Sequence, residues 1–245
     1  MGTAVLRDLI RVNPCSRVKP LKGRKLGTTG SPLTVDQERR VLAEAPPRWR
    51  PVFGFMLATG ARTGEMRAMR WKDIDADGVT FSRQYAGDGA RLRLEPLKDG
   101  TMGSTRRVPW RSFALRDLVF EGGPGEGDAL LFTVAGGGPL GESNTRRAFQ
   151  ELVEKGFGWL PDLLPDGRQE HYSPHDLRHT WATRLSEVGM PLEKIREWGD
   201  WCSLELVLRY ARVSDESALA ILRRAEADSN ETSDARAARV AGEEA

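Results

Sequence analysis

Two of the chain's three histidines, His175 and His179, stand in one eight-residue stretch, SPHDLRHT, with Arg178 between them. Ser173 is a good N-cap and Pro174 a good first helical residue, so the stretch reads as the opening of a helix. His175 then lies in the first turn, where unpaired backbone N–H groups and the helix dipole favour an anion. Arg178 follows one turn on, on the same face. A planar, permanently charged guanidinium beside a titratable imidazole suits a phosphate oxygen plus a proton transfer. The same residues also fit a capped helix with an ordinary surface arginine. His175 and His179 are spaced i, i+4, as in zinc-binding helices, but no glutamate completes an H-E-x-x-H pattern and Arg178 would repel a cation.

Two further groupings could do chemistry. In ATGARTGEMRAMRW, Arg62 comes just after a glycine turn and Glu65 lies three residues on. A carboxylate there can hold the arginine ready for a ligand, although such pairs are also routine on helix surfaces and worth little. In WCSLELVLRYARV, the periodicity predicts a buried stripe of Leu204, Val207, Leu208 and Ala211, with Tyr210 beside it. A tyrosine so placed is commonly a half-buried packing residue. As a nucleophile, a phenol with a pKa of about 10 needs a base or strong anion-stabilising neighbours. One apparent motif fails. GGGPLG, Gly136 to Gly141, matches G-x-G-x-x-G, but no helix opens on it and no second parallel strand follows, so it reads as a glycine-rich turn.

The elements that must carry these residues can be read from capping and periodicity. Thr34 and Gln37 form a T-x-x-Q capping box for a helix that stops before Pro46. PVFGFMLATG is an apolar helix ending at Gly60, and ARTGEMRAMRW continues helical. GVTFSRQY, ARLRLEPL and STRRVPW are short, alternating and separated by turn residues, which predicts one small antiparallel sheet. RSFALRDLVF is helical again. Ser143 is expected to cap the helix NTRRAFQELVEKG, and Ser173 the helix HDLRHTWATRLSEVG. PLEKIREWG, SLELVLRYARV and DESALAILRRAEA complete a mostly helical α+β domain.

Composition frames this reading. At 245 residues the chain can bury a sizeable core, and its two cysteines make no disulfide framework. No run approaches the roughly 18 apolar residues of a membrane span, and the start has no secretory signal pattern, so a cytoplasmic protein is expected. The net charge of +2 hides an asymmetry: residues 1–25 hold seven Lys/Arg against one Asp, and residues 213–245 hold eight acids against four arginines. The basic arm is a candidate for contact with a polyanion, although a charge run alone is more often a solvated tail. The boundaries expected are a basic arm at 1–30, one domain at 31–228 and a disordered acidic tail at 229–245.

Taken in order, the groupings resemble the catalytic domain of the tyrosine recombinase (phage integrase) family. ATGARTGEMRAMRWKDID resembles its first-arginine box, PLKDGTMGSTRRVPW its β-hairpin lysine segment, SPHDLRHTWATRL its H-x-x-R box, and WGDWCSLELVLRYARV its closing tyrosine segment. Any one box is a weak signal, whereas four in register are a strong one. The resemblance implies that Arg62 and Arg178 clamp one scissile DNA phosphate, and that Tyr210 attacks it to leave a 3′-phosphotyrosyl link and a free 5′-hydroxyl. Lys98 would be the general acid for the leaving oxygen, and His175 would move the tyrosine's proton. Trp201 would donate its indole N–H to a phosphate oxygen, while Glu65 and His179 would support the site. Neither metal nor nucleotide cofactor is implied, because two guanidiniums stabilise the developing charge.

The resemblance also implies double-stranded DNA as partner, a homo-oligomer (a tetramer) on DNA joined through a C-terminal segment at Asp215 to Ala227, and an accessory bending or directionality factor. AVLRDLIRVNP resembles the end of a core-binding domain, the rest of which is expected to be missing from this chain. Two other readings compete with recombination. One is a type IB topoisomerase-like relaxation by the same residues, and the other is a catalytically silent DNA-binding remnant or modulator.

Overall fold

The computed structural model describes residues 32–97, 105–123, 125–159, 171–208 and Tyr210. The basic arm, Lys98, the segment Asp215 to Ala227 and the acidic tail lie outside these residues.

The first helix, α1 (Val35–Glu44), carries the expected capping box: the Gln37 N–H donates to Thr34 Oγ1 at 3.2 Å, and the Thr34 N–H to Gln37 Oε1 at 2.9 Å. Next comes α2 (Arg50–Thr59), whose residues from Val52 to Thr59 are all buried. A helix apolar on every face must be enclosed by its neighbours, and α2 is the centre of the core. It packs against α4 (Phe113–Phe120) and α6 (Pro174–Glu187). Phe55 alone meets the rings of Phe132, Trp110 and Phe81, at centroid distances of 5.4, 6.0 and 6.4 Å. The helix stops at Gly60, which adopts φ +64°; a Cβ there would come within 2.3 Å of the Trp181 ring. Glycine therefore meets both demands, the left-handed turn and the close approach.

The β segments form two two-stranded antiparallel ladders where one sheet was expected. β1 (Gly78–Phe81) pairs with β4 (Arg106–Pro109), and β2 (Arg83–Ala86) with β3 (Arg93–Pro96). GVTFSRQY is thus two strands, parted at Ser82, after which the second turns to a different partner. β4 shows the two-residue alternation clearly: Arg106 and Val108 face inward, while Arg107 faces out and pairs with Asp75 at 2.7 Å.

Helix α5 (Glu142–Gln150) begins one residue before the expected cap, with Gly141 in the N-cap position. The cap is supplied from elsewhere in the chain. Asp88, in the β2–β3 connection, accepts from the Glu142 and Ser143 N–H groups and from Ser143 Oγ at 2.8 to 2.9 Å. Buried Arg67 holds that connection in turn, donating to Gly87 O, Asp88 and Leu140 O. The Gly136–Gly141 stretch is a turn, as expected, closed by the bridge between Thr133 and Pro139. After α7 (Leu192–Gly199) the chain reverses through Asp200, at φ 52°, into the single-turn helix α8 (Glu205–Leu208). Here the predicted apolar stripe is corrected. Val207 is buried, but Leu204 and Leu208 are 36% and 53% exposed, because one turn docks by one side chain. Ala211 lies outside the described residues. No described helix is long and apolar enough to cross a membrane.

Removing the ring at the centre of the core should cost the most. Phe55→Ala is expected to lower unfolding free energy by about 3–5 kcal/mol in denaturant melts, and a loss below 1 kcal/mol would show that the aromatic cluster is not the stabilising centre.

Candidate functional site

The site grows around a buried carboxylate. α3 (Thr63–Arg67) has Arg62 as its N-cap, and Glu65, in its third position, accepts the Arg62 backbone N–H on Oε2 and the Arg62 guanidinium on Oε1, both at 2.8 Å. The i, i+3 spacing seen in the sequence is therefore a helix cap and an ion pair at once. Arg106 reaches the same carboxylate from β4, donating Nη1 to Oε1 at 2.9 Å and Nη2 to Oε2 at 2.7 Å. Burial alone would push the Glu65 carboxyl up. Arg106 first, then Arg62 and Arg178, outweigh it and hold the group at about 2.

The α7–α8 turn closes on both arginines. Arg62 donates Nη1 to Asp200 Oδ2 at 3.1 Å and Nη2 to the Asp200 carbonyl at 2.9 Å. Burial lowers the pKa of Arg62, but Glu65 and Asp200 more than offset this and raise it. Arg178, 1% exposed, donates Nη1 to the Gly60 carbonyl at 2.7 Å and Nη2 to the Gly199 carbonyl. Its guanidinium lies over the Trp201 ring, 4.2 Å from the centroid. Burial, then the like charge of Arg62, lower Arg178 to about 9, so it stays a cation at neutral pH. Its Nε finds no partner among the described residues, leaving one donor unused in the heart of the cluster.

Tyr210 completes the group. Its phenol, 5% exposed, is hydrogen-bonded to His179 Nδ1, and its ring lies 5.6 Å from that of Trp201. His179 is the buried histidine of the pair. His175 is exposed and meets the His179 ring edge-on, 4.7 Å between centroids. His175 and Arg62 both line an open cleft of about 460 Å³, together with Gly64, Asp88, Ser143, Arg146 and Ser173. Ser173 opens α6 as expected, with its N–H donating to Asp176 Oδ2 at 2.6 Å.

The structure thus brings together Arg62, Glu65, His175, Arg178, His179, Trp201 and Tyr210 from segments up to 148 positions apart. Lys98 lies outside the described residues. Lys72, in the arginine box, is held by Asp128 at 2.6 Å. Two members of the cluster were not singled out from the sequence. Arg106 carried one available signal, since alternation in STRRVPW puts it on the inward face with Val108. Asp200 carried none, for its role depends on a left-handed residue after a helix end. Among the described residues, no group of three His, Cys, Asp or Glu is arranged to hold a metal ion.

Residues 32–217 match the phage integrase family. The chain is 27% identical to an integrase of Streptomyces ambofaciens over 208 residues, covering 78% of this chain and 51% of that protein. It is 47% identical to the integrase of Salmonella phage P22 over 184 residues, covering 74% and 43%. With the tyrosine recombinase XerC of Brucella melitensis the identity is 29%, over 90% of this chain and 69% of the relative. The chain spans about half the length of the first two relatives. Among solved structures, the Tn1549 transposon integrase in complex with transposon right end DNA has a TM-score of 0.59 at 22% identity, covering 92% of this chain and 75% of that one. The XerA recombinase gives 0.52 at 18%, covering 79% and 64%. These likenesses establish a shared fold.

The depressed Glu65 carboxyl makes stability depend on acid. Its ordinary value is about 4.3, so the stabilisation is fully present above about pH 5 and is lost as pH falls towards the folded value of about 2. Denaturant melts of Glu65→Gln across that window should show a shallower loss with acid than the parent protein; an identical slope would assign the linkage to other carboxylates.

Proposed function

Because the chain belongs to the phage integrase family, we propose that it is a site-specific tyrosine recombinase, cleaving and rejoining DNA through a 3′-phosphotyrosyl intermediate. The observation that carries this reading is a buried phenol, Tyr210, held at an imidazole beside two anchored guanidiniums, Arg62 and Arg178. A phenol is a poor nucleophile until something takes its proton and something else stabilises its negative charge. This cluster supplies both. The Tyr210 oxygen attacks phosphorus, the bond from phosphorus to the 5′-oxygen breaks, and the phosphotyrosyl ester conserves the bond for rejoining. Arg62 and Arg178 balance the charge that grows on the non-bridging oxygens.

Proton traffic divides between the histidines. His179 holds the phenol where attack begins. His175, exposed at the cleft and in ring contact with His179, is placed to exchange the proton with solvent. Lys98 is the proposed acid for the leaving 5′-oxygen, and the Trp201 indole N–H a donor to phosphate. In the arrangement described, Nη1 and Nη2 of Arg178 donate to carbonyls, its face is covered by Trp201, and its Nε is unpaired but buried. Engagement of a phosphate by Arg178 therefore requires the turn from Gly199 to Trp201 to move. The partner is double-stranded DNA, met in the cytoplasm. The active form is a homo-oligomer, a tetramer joined through Asp215 to Ala227, with an accessory factor setting direction. The intact cluster disfavours a silent remnant, because such a chain has no reason to keep charges buried around a tyrosine.

Incubation with supercoiled plasmid at low salt, followed by denaturation in SDS, reads the reaction directly. A covalent protein–DNA adduct is expected from the parent protein and from Tyr85→Phe, and none from Tyr210→Phe. Arg178→Lys should slow adduct formation by about 10²–10³-fold, the usual loss when one fixed donor to a developing charge is removed. An adduct that survives Tyr210→Phe would place the nucleophile elsewhere.

A further inference from the structure

We propose that Arg106 is a positioning residue of the phosphate clamp, tying the Glu65 carboxylate to the end of helix α7 and thereby setting both Arg62 and Arg178. The proposal rests on the recombinase reading above and assigns a role to a strand arginine outside the four boxes' reactive set.

The geometry leaves Arg106 little other purpose. Its side chain is 4% exposed and extends from an inward position of β4, with its guanidinium 4.4 Å from the Phe81 ring centroid. All three of its nitrogens are used: Nη1 and Nη2 on the two Glu65 oxygens, and Nε on the Trp198 carbonyl at 2.9 Å. Each Glu65 oxygen thus accepts one N–H from Arg106 and one from Arg62. The planar fork can face both oxygens of a carboxylate at once, which a lysine cannot do. Its remaining donor lands one residue before Gly199, whose carbonyl caps Arg178, and two before Asp200, which grips Arg62. One side chain therefore connects the supports of both clamp arginines without reaching the cleft itself.

The physical consequence follows from burial. Glu65 faces Arg62 from its own helix start, Arg106 from β4 and Arg178 from α6, while Asp200 faces it only through Arg62. Without Arg106, half of its donors vanish but its burial stays, and burial favours the protonated form. A protonated Glu65 loses one acceptor site and holds Arg62 less firmly. A misplacement of about 1 Å in a catalytic group can cost on the order of 10²-fold in rate.

The test compares the parent protein with Arg106→Met, Arg106→Lys and the double variant Arg106→Met/Glu65→Gln. Methionine keeps the apolar stem over Phe81 and removes the fork. The rate of covalent adduct formation on supercoiled plasmid at low salt would be measured from about pH 5 to about pH 8, with affinity for the same plasmid and acid unfolding alongside. Arg106→Met is expected to cleave about 10- to 100-fold more slowly at the upper end, with DNA affinity unchanged. Its rate should fall further towards acid, where the parent shows no loss attributable to Glu65. Arg106→Lys should recover only part of the rate. In the double variant, the added acid limb should disappear.

A wild-type rate in Arg106→Met would overturn the proposal. So would a slow rate that follows loss of folding or of DNA affinity with no new acid limb. Acid unfolding reads the coupling without any DNA chemistry: losing Arg106 brings the folded Glu65 carboxyl nearer its unfolded value, so Arg106→Met should shift to a shallower loss of stability between about pH 5 and about pH 2 than the parent, a shift abolished in the Glu65→Gln background. The absence of that shift would also sink the proposal, even if the parent formed no adduct. A parent protein that forms no adduct, with the shift present, would instead count against the recombinase reading.

Discussion

The arrangement of this protein depends on a single buried anion. Glu65 is 1% exposed, and an isolated carboxylate at such a site would take up a proton rather than stay charged. It stays charged because two arginines share its oxygens and a third lies close by. The converse also holds. Burial, and after it the like charges of Arg62 and Arg106, lower the pKa of Arg178, and the three arginines could not crowd together without the carboxylate between them. Breaking a cluster of this kind leaves an uncompensated charge behind, so its members stand or fall together. Such a cluster is a poor route to stability and a good one to a fixed geometry.

What the carboxylate does for one side of the clamp, carbonyl oxygens do for the other. Arg178 is held by Gly60 and Gly199, two glycines set where a side chain has no room. A Cβ on Gly60 would enter the Trp181 ring, and one on Gly199 would lie 1.8 Å from the ring of Trp201. The tryptophans are therefore part of the same construction. Trp181 is stacked near Trp201, and Trp201 lies under the Arg178 guanidinium. The end of the central core helix, the end of α7 and the arginine of α6 are joined through these contacts, so the core and the clamp are one mechanical unit. The turn that carries Gly199, Asp200 and Trp201 also leads to Tyr210, which links the nucleophile to the same support.

The two histidines show how a helix divides labour between adjacent turns. Four residues apart, His175 and His179 lie on one face of α6, yet one meets solvent at the cleft and the other is enclosed with the phenol. The resemblance implies that His175 moves the tyrosine's proton and that His179 supports the site. His179 is hydrogen-bonded to Tyr210, while His175 lies in the first turn of α6, which opens on the cleft.

Much of this was legible in the amino-acid sequence, for a physical reason in each case. The caps at Thr34 and Ser173, the glycine stop at Gly60 and the apolar run of α2 are local signals, decided within a few residues. The candidate positions Arg62, Glu65, His175, Arg178, Trp201 and Tyr210 could be named because four short boxes in register resemble one family; residue type and spacing alone left each of them open to a packing or surface reading. What only the tertiary structure decided are relations between distant segments. Asp88 caps a helix 54 residues away in place of Ser143, β1 leaves β2 to pair with β4, and Val207 alone among the described residues of the predicted stripe docks. Above all, Arg106 and Asp200 join the site through the path of the chain in space. Local spacing shows which face of a strand or helix a side chain takes, but which charge waits on the other side is settled only when separate elements pack and their ions must find partners.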